Sequence, residues 1–335
     1  MTESLNGRSL ITTSAGVHAG AFGLGEWTLL AVVAGVWGSS FLFIAIGLDA
    51  FEPGLVTLLR IALGAATLGL FPRARRPIDR ADRPRVVLLG IVWIVAPLLL
   101  FPIAQQWIDS SLAGMINGSM PLFAALIASV LLRRIPGRRQ AAGLLVGFAG
   151  VVAIGWPAAR GASATALGAG LVLLAQVFYG LSANLAVPLQ QRYGSLPVLF
   201  RAQLVALVIV LPIGLASVPG SEFAWPSALA VTALGVFGTG LAFVAMTALV
   251  GRVGATRGSV AIYFLPVVAI ALGVAFRDET VAALSLGGVA LVIVGAYLAS
   301  RREDTGQPSD SPAQTEKQAL PSVDASSTHP AWPTS

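Results

Sequence analysis

The sequence predicts an all-α integral membrane protein of ten transmembrane helices, arranged as two inverted five-helix repeats. Three observations support this prediction. The composition is apolar with few charges, ten separate apolar runs are long enough to cross a bilayer, and a residue pattern recurs about 145 positions along the chain. Each half of the chain would then hold five helices.

The composition places the chain in lipid rather than in water. Hydrophobic residues make up 56% of the 335 residues, charged residues make up 11%, and the mean hydropathy is +0.82. Soluble domains carry roughly 25% charged residues, so a soluble fold of this chain would expose large apolar patches. The net charge is +6, but the basic residues lie in short loops and form no stripe with interleaved aromatics. This distribution argues against a nucleic-acid partner.

Ten apolar runs have the length of a membrane span, since about 17–25 helical residues cross a bilayer core. The predicted spans are 27–48, 54–71, 86–104, 112–132 and 140–156 in the first half, and 167–187, 196–215, 229–250, 258–276 and 281–299 in the second. The predicted domains are a cytoplasmic segment 1–26, the repeats 27–156 and 167–300, and a polar tail 301–335 that is expected to be cytoplasmic and disordered.

The basic residues set the predicted orientation. Of the 21 Arg and Lys residues, 17 fall on one side of the ten-span arrangement, and two, Arg160 and Arg277, fall on the other. By the positive-inside rule, both termini are therefore cytoplasmic. We expect a multi-pass protein of the plasma (inner) membrane.

An internal repeat relates the two halves. A shift of 145 residues superimposes Pro121 on Pro266, and a shift of 141 superimposes Arg60 on Arg201. Both prolines are expected to kink their helices. Five spans per repeat reverse the direction of the second half. This is the inverted-repeat plan of many secondary transporters, in which the solute site lies near the midplane between the repeats.

The linker before the last span of each half shows the same inversion in its charges. Arg133 and Arg134 align with Asp278 and Glu279. In the predicted orientation the arginines face the cytoplasm and the acidic pair faces outside. The sign of the charge therefore changes with the side of the membrane.

Catalytic groups are scarce inside the predicted spans. Both histidines, His18 and His329, lie in the tails, no Asp or Glu falls within a span, and the chain has no cysteine. Acid–base catalysis and metal binding need such groups. We therefore expect no enzyme activity, no cofactor and no metal site, and no proton relay built on a buried carboxylate.

Arg60 and Arg201 are the two charges inside the predicted spans. A charge at that depth is costly unless it faces water or a partner. Arg60 lies seven residues after Pro53, about 10 Å below the outer surface. It either lines the cavity and meets a carboxylate or another electron-rich group, or it extends outward to the interface or braces a helix carbonyl. Arg201 is expected to extend to the cytoplasmic interface. A buried positive charge predicts a negative or zwitterionic solute.

Polar and aromatic side chains within the spans define the predicted central cavity. Each of them could instead bridge or pack helices, but together they could hold a small polar molecule. The candidate cavity residues are Trp37, Ser39, Ser40, Arg60, Trp93, Asn117, Gln176, Tyr179, Ser182 and Tyr263. Ser119, Asn184, Gln203 and Thr239 belong to the same wider polar set.

Three stretches carry a resemblance to a known family: Trp37-Gly38-Ser39-Ser40-Phe41, residues 53–60, and residues 238–298 with their Gly-Ala loop, proline-containing helix and acidic turn. The pattern resembles the EamA-type members of the drug/metabolite transporter superfamily and covers residues 27–300. The chain departs from that pattern at Arg134, where the family usually has an acidic residue. The resemblance implies transport of small metabolites, often export of amino acids or related compounds.

We therefore expect a secondary transporter, an exporter of small metabolites, that works by alternating access through a cavity between the repeats. Its expected partners are a small-molecule solute and the lipid bilayer. The alternative is a non-transporting membrane sensor or scaffold that signals through its cytoplasmic tail. Deletion of residues 303–335 separates the two, since a scaffold would lose its function and a transporter would keep its flux.

Overall fold

The computed structural model describes residues 23–131, 133, 135, 137–160, 163–253 and 260–300. The secondary structure of these residues is helical, with no strand among them. The predicted tail 301–335 lies outside the described residues, and so does the predicted segment 1–26 apart from residues 23–26.

Eight of the helices are long and apolar enough to cross a membrane. They are α1 (Leu24–Leu48), α3 (Arg80–Ala104), α4 (Ser110–Leu131), α5 (Arg138–Arg160), α6 (Ser163–Tyr193), α7 (Ser195–Ala216), α8 (Trp225–Val253) and α9 (Val260–Arg277). Two further helices are apolar but have apolar segments shorter than 18 residues. They are α2 (Pro53–Gly69) and α10 (Ala283–Ser300, with its apolar segment at Ala283–Leu298). Each predicted span falls on one of these helices, which confirms an all-helical, multi-pass membrane protein with eight candidate spans.

Large apolar side chains cover the outer surface of the helices. Leu145 is 75% exposed, Val208 73% and Leu229 63%, and each lies well inside a helix. In water such a surface would be an aggregation hazard. It fits a chain whose outer face meets lipid.

The helices pack in pairs that recur five helices further along the chain. Helix α1 packs against α8 and α9, and α6 packs correspondingly against α3 and α4. Helix α2 packs against α8, and α7 packs against α3. Three further pairs join helices that are themselves five apart, so the repeat maps each of these pairs onto itself. They are α2 with α7, α4 with α9 and α5 with α10.

The backbones of α5 and α10 approach each other closely. A Cβ on Gly150 would lie 2.6 Å from the carbonyl oxygen of Gly288, and a Cβ on Gly288 would lie 2.7 Å from the carbonyl oxygen of Gly150. Since no side chain fits at either position, the two backbones touch directly. Small residues are the usual means of such close approach in membranes.

Departures from regular α-helix also recur between the two halves. Helix α3 contains a π-helical segment at Gly90–Val95, and α8 contains one at Leu234–Leu241. Helix α4 is interrupted at residues 118–119, just before Pro121, and α9 is interrupted at Phe264, just before Pro266. The kinks predicted from the two prolines therefore lie where regular helix stops, because proline removes a backbone donor.

Charged groups join the two halves at the end of the molecule where the α2–α3 linker lies. Arg192, near the end of α6, donates to Asp79 (Nη2 to Oδ2, 2.6 Å) and to Asp82 (Nη1 to Oδ2, 2.8 Å). The hydroxyl of Tyr193 bonds to the same two carboxylates, at 2.9 and 2.8 Å. The linker and the first turns of α3 also carry the six arginines of residues 73–85, so this end of the molecule is the basic one.

Candidate functional site

The π-helical segment of α8 is the centre of a polar network in the interior. A π turn shifts the backbone hydrogen bonds out of the α-helical pattern and is frequent at functional sites. The carbonyl oxygen of Gly238 accepts a hydrogen bond from Trp37 Nε1 (3.0 Å), and the carbonyl oxygen of Thr239 accepts one from Gln203 Nε2 (2.9 Å). Side chains from α1 and α7 thus converge on two adjacent residues of α8.

Arg60 of α2 joins this network through the Thr239 hydroxyl. Its Nε donates to Thr239 Oγ1 at 2.8 Å, while the hydroxyl itself donates to the carbonyl oxygen of Leu234 at 3.2 Å. The Thr239 hydroxyl is therefore fixed in the orientation that accepts from Arg60.

The Arg60 guanidinium is buried with one of its three nitrogens paired. The residue is 7% exposed, and Nε is the atom that the described residues engage in a hydrogen bond. The phenol of Tyr179 on α6 lies close enough to interact with it electrostatically. A buried cation without a carboxylate is costly, and no carboxylate of the described residues forms an ion pair with Arg60.

Three aromatic side chains lie beside the π segment. Phe243 of α8 makes edge-to-face contacts with Trp37 of α1 (centroids 5.0 Å apart) and with Trp93 of α3 (5.9 Å apart). All three side chains are half-buried although they lie in the middle of their helices. The hydrogen bond from Trp37 to Gly238 holds the indole in place.

The remaining predicted cavity residues lie in the same interior. Ser40 is buried beside Gly238, where a Cβ would lie 3.1 Å from Ser40 Oγ. Ser39, Ser40, Gln176 and Ser182 donate to carbonyl oxygens of their own helices, as helix-packing residues commonly do. Asn117 is 8% exposed, and Tyr263 is half-buried against the main hydrophobic core.

Two buried glutamines keep an unpaired oxygen. Gln176 and Gln203 are both 0% exposed, and in each the Nε2 amide donates while Oε1 has no partner among the described residues. A buried acceptor without a partner costs about 1–3 kcal/mol. Such groups are rare in folded proteins and call for a functional reason.

Arg201 lies in a different environment from Arg60. It is half-buried, and its Nη2 donates to the carbonyl oxygens of Arg75 and Arg76 in the α2–α3 linker (3.2 and 3.4 Å). This agrees with the expectation that its side chain extends to the interface. It stays outside the network at Thr239.

The packing of the helices pairs Arg60 with a different residue from the one that the sequence alignment suggested. A Cβ on Gly90 would meet the carbonyl oxygen of Ala202, and a Cβ on Gly235 would meet that of Arg60, each at 3.1 Å. Gly90 and Gly235 are 145 residues apart and so correspond in the repeat, which means that their partners, Ala202 and Arg60, correspond as well. By this packing the shift of 141 that superimposed Arg60 on Arg201 is wrong by one residue.

A cavity of about 760 Å³, here called the vestibule, opens at the end of the molecule opposite the α2–α3 linker. The lining comes from four interhelical linkers and the adjoining helix ends and comprises residues 45, 48–53, 105–106, 108–110, 220, 222–224, 277 and 279. None of the ten predicted cavity residues belongs to its lining. Helix α2 leads inward from Pro53 at the rim, and Arg60 lies about 10 Å further along it.

Carboxylates dominate the vestibule. Five acidic residues line it beside one basic residue, Arg277: Asp49, Glu52, Asp109, Glu222 and Glu279. Arg277 donates to both oxygens of Asp49, at 2.7 and 3.0 Å. The single cation is therefore paired, and the vestibule is strongly negative.

Glu279 closes the N-terminus of α4. Its Oε1 accepts from Ser110 N (2.9 Å) and Ser110 Oγ (2.7 Å), and its Oε2 accepts from Ser111 N (2.8 Å). A carboxylate at this position accepts from backbone N–H groups that have no partner within the helix. It also interacts favourably with the positive end of the helix dipole. The contact joins the α9–α10 linker to the first half of the chain.

Asp109, the residue before α4, is perturbed by this arrangement. Partial burial raises the pKa of its carboxyl, the negative charge of Glu279 raises it further, and Arg277 partly offsets both effects. Asp109 therefore holds a proton more readily than a carboxyl in water does. In the described part of the chain, the vestibule included, no group of three or more His, Asp or Glu side chains could hold a metal ion.

Sequence reasoning located the interior network better than the vestibule. Trp37 and Arg60 were predicted and meet at the α8 π segment, and Thr239 and Gln203 came from the wider polar set. Phe243 was missed because it is one aromatic residue in an apolar run. The vestibule was missed because its carboxylates come from linkers that lie far apart in the sequence, and no single segment carries a signal for it.

Comparison with known proteins gives a family and several relatives. The sequence model of the EamA-like transporter family matches residues 25–156 and 166–301. A probable terminal-alkyne amino-acid exporter of Streptantibioticus cattleyicolor is 29% identical over 280 residues, which cover 82% of this chain and 93% of that protein. An uncharacterized transporter of Archaeoglobus fulgidus is 23% identical over 280 residues, covering 83% of this chain and 99% of its own.

Two further comparisons agree with these. YedA, an uncharacterized inner membrane transporter of Escherichia coli, is 26% identical over 281 residues, covering 78% of this chain and 89% of its own. A crystal structure of a protein with 21% identity superimposes with a TM-score of 0.58, covering 82% of this chain and 96% of that one. At this identity the crystal structure supports the fold alone.

Proposed function

The chain belongs to the EamA-like transporter family, and from this premise we propose that it is a secondary transporter that exports a small metabolite bearing a carboxylate, such as an amino acid or a related compound. The solute would bind between the two halves of the chain and be exposed to each side of the membrane in turn. A relative named as a probable amino-acid exporter supports this solute class. Membership of a transporter family also favours this function over that of an enzyme.

The proposed architecture is ten spans in two inverted repeats, residues 27–156 and 167–300. Several observations support it. The family model matches each half separately, the helix contacts recur five helices further on, and the two π segments and two helix interruptions occupy corresponding positions. Helices α2 and α10 would then be spans too, α2 at its full length of 17 residues, which is within the range for a bilayer.

The proposed orientation places the vestibule outside and the α2–α3 linker in the cytoplasm. The distribution of 17 basic residues against two supports this, because basic loops are retained inside. Both termini would be cytoplasmic in the plasma membrane. In this orientation the vestibule opens toward the outside.

Arg60 is the observation that carries the proposal. It is buried, fixed by Thr239 and left with two unpaired Nη groups, which match the two oxygens of a carboxylate. The half-buried rings of Trp37, Phe243 and Trp93 lie beside the same α8 segment, where they are placed to contact the uncharged part of the solute.

The test is exchange of labelled amino acids by purified protein in liposomes preloaded with unlabelled solute. We expect saturable exchange for at least one amino acid of a broad panel. Arg60→Ala should lower kcat/KM at least about tenfold, since a hydrogen bond to a charged group contributes about 1.5–3 kcal/mol. Arg60→Lys should recover part of the activity because the charge remains while the paired geometry is lost.

Arg201→Ala is the matched control, since it removes the other span arginine without touching the network. It should exchange at nearly the rate of the unmodified protein. Exchange that Arg60→Ala leaves unchanged in folded, inserted protein would contradict the role of Arg60. Absence of exchange across the whole panel would contradict the proposed solute class.

A further inference from the structure

Gln203 is the second half of the interior site. Its side chain is fully buried on α7, and its Nε2 is held by the carbonyl oxygen of Thr239 at 2.9 Å. This contact fixes the amide, so that Oε1 is the end left over, and Oε1 has no partner among the described residues. A fixed acceptor without a donor is the arrangement expected of a group that receives a donor from a ligand.

The free acceptor lies next to the free donors of Arg60. Both side chains bond to Thr239, Arg60 to its hydroxyl and Gln203 to its carbonyl oxygen. Gly64, one helical turn after Arg60 on α2, makes room for them, because a Cβ there would lie 3.3 Å from Gln203 Oε1 and 2.7 Å from Thr239 Cγ2. Two unpaired Nη groups and one unpaired oxygen thus flank the same threonine.

The vestibule gives an independent indication of the solute's charge. Glu52, Asp109 and Glu222 line it and take part in none of the ion pairs of the described residues, while Arg277 is paired with Asp49. A mouth lined by unpaired carboxylates attracts positive groups and repels solutes that are purely anionic. A solute that carries a carboxylate for Arg60 must therefore also carry a positive group to pass this mouth favourably.

From these two observations we propose that the solute is recognised as a zwitterion, with its carboxylate on Arg60 and its ammonium group donating to Gln203 Oε1. This inference rests on the proposed function and names its substrate class more closely as α-amino acids rather than carboxylic acids in general. Gln203 is then a specificity-determining residue. In the described conformation Oε1 is closed off, and it becomes available when the halves move apart.

The experiment measures competition against the exchange of labelled leucine, or of whichever amino acid in the panel exchanges fastest. Three competitors share one carbon skeleton: leucine, 4-methylpentanoate, which lacks the amino group, and 3-methylbutylamine, which lacks the carboxylate. For the unmodified protein we expect leucine to compete at least about tenfold better than either analogue, since a site built to bond a polar group rejects the analogue that lacks it.

Gln203→Met keeps the volume of the side chain and removes its oxygen. It should weaken competition by leucine about tenfold and leave competition by 4-methylpentanoate unchanged. The ratio of the two, which measures the preference for the amino acid, should then fall to about one. Gln203→Glu restores an acceptor and should restore the preference. Gln140→Met is the matched control, since it makes the same change at a glutamine that bonds to Ser129 (Nε2 to Oγ, 3.3 Å) and belongs to neither the network nor the candidate cavity, and it should keep the preference.

The outcomes separate this inference from the proposed function. Equal competition by leucine and 4-methylpentanoate in the unmodified protein would overturn the zwitterion while leaving carboxylate transport intact. A preference that survives in Gln203→Met, or that is lost equally in Gln140→Met, would overturn the role of Gln203. If Gln203→Met does not fold, Gln203→Glu decides, because loss of the preference in that folded variant contradicts the proposal. No amino-acid exchange at all would be a failure of the proposed function instead.

Discussion

Arg133, in the linker after α4, and Asp278, in the linker after α9, both adopt left-handed backbone conformations, with φ of 49° and 53°. They lie 145 residues apart, at positions that the sequence repeat superimposes. Non-glycine residues seldom adopt this conformation, because it crowds the Cβ atom. The two linkers therefore share this backbone conformation at the repeated position, although one carries an arginine there and the other an aspartate.

The difference between the linkers shows that the backbone conformation of a linker and its charge are determined separately. The backbone follows the repeat, while the charge follows the side of the membrane that each linker faces in the proposed orientation. In the acidic linker the charge also makes a structural contact, since the Glu279 carboxylate accepts from the backbone N–H groups at the N-terminus of α4. At the position of Glu279 the other linker has Arg134, which lies outside the described residues.

Of the substitutions that test this comparison, Glu279→Ala should have the largest effect on stability. The buried N–H groups of Ser110 and Ser111 would lose their acceptor, and the free energy of unfolding should fall by about 2–3 kcal/mol. The measurement is the thermal unfolding midpoint in detergent. Glu222→Ala, which removes an exposed carboxylate of the same vestibule, should change stability by less than about 0.5 kcal/mol. Equal midpoints for the two variants would show that Glu279 does not stabilise α4.

Gly273→Ala should have the next largest effect. A Cβ at Gly273 would collide with Glu279 Oε2, whereas the corresponding position of the first half, Ala128, already carries one. We expect a loss of about 1–2 kcal/mol from overpacking. In the Glu279→Ala background the same substitution should cost little, because the carboxylate is gone and alanine favours helix. Additive losses in the double variant would mean that the collision is with something else.

The smallest effect is a pH dependence that the acidic linker should confer on Asp109. Because its pKa is raised in the folded protein, ionisation of Asp109 opposes folding, and its contribution to stability falls as pH rises through the raised pKa. Asp109→Asn should therefore unfold at a slightly higher temperature than the unmodified protein at neutral pH. The two should converge below the usual carboxyl pKa of 3.8. A constant difference from about pH 3.5 to about pH 8 would contradict this cause.

Much of the fold was predictable because lipid imposes simple rules on sequence. Apolar runs gave the positions of the helices, and Pro121 and Pro266 gave the interruptions of α4 and α9, since proline acts through its own backbone. The π segments gave no local signal, because they depend on the neighbours that accept and donate around Gly238 and Thr239. The left-handed turns gave none either, as neither Arg133 nor Asp278 is a glycine.

The interior site was predictable in its residue types and not in its contacts. A buried arginine predicted a negatively charged or zwitterionic partner for itself, but its tie to Thr239 joins residues 179 positions apart. The alignment of Arg60 with Arg201 shows the same limit. A shift of one residue turns a helix by about 100°, and only the packing of Gly90 and Gly235 against their neighbours fixes the correct register.

The most direct test of the two inverted halves is to label the two linkers from outside intact cells. The natural chain has no cysteine, so Ile135→Cys and Thr280→Cys place single thiols at corresponding, exposed positions of the two linkers. A membrane-impermeant maleimide should modify the cysteine at position 280 in intact cells, and the one at position 135 only after permeabilisation. Modification of both positions from the same side would contradict the inverted arrangement, and with it the transport path proposed between the halves.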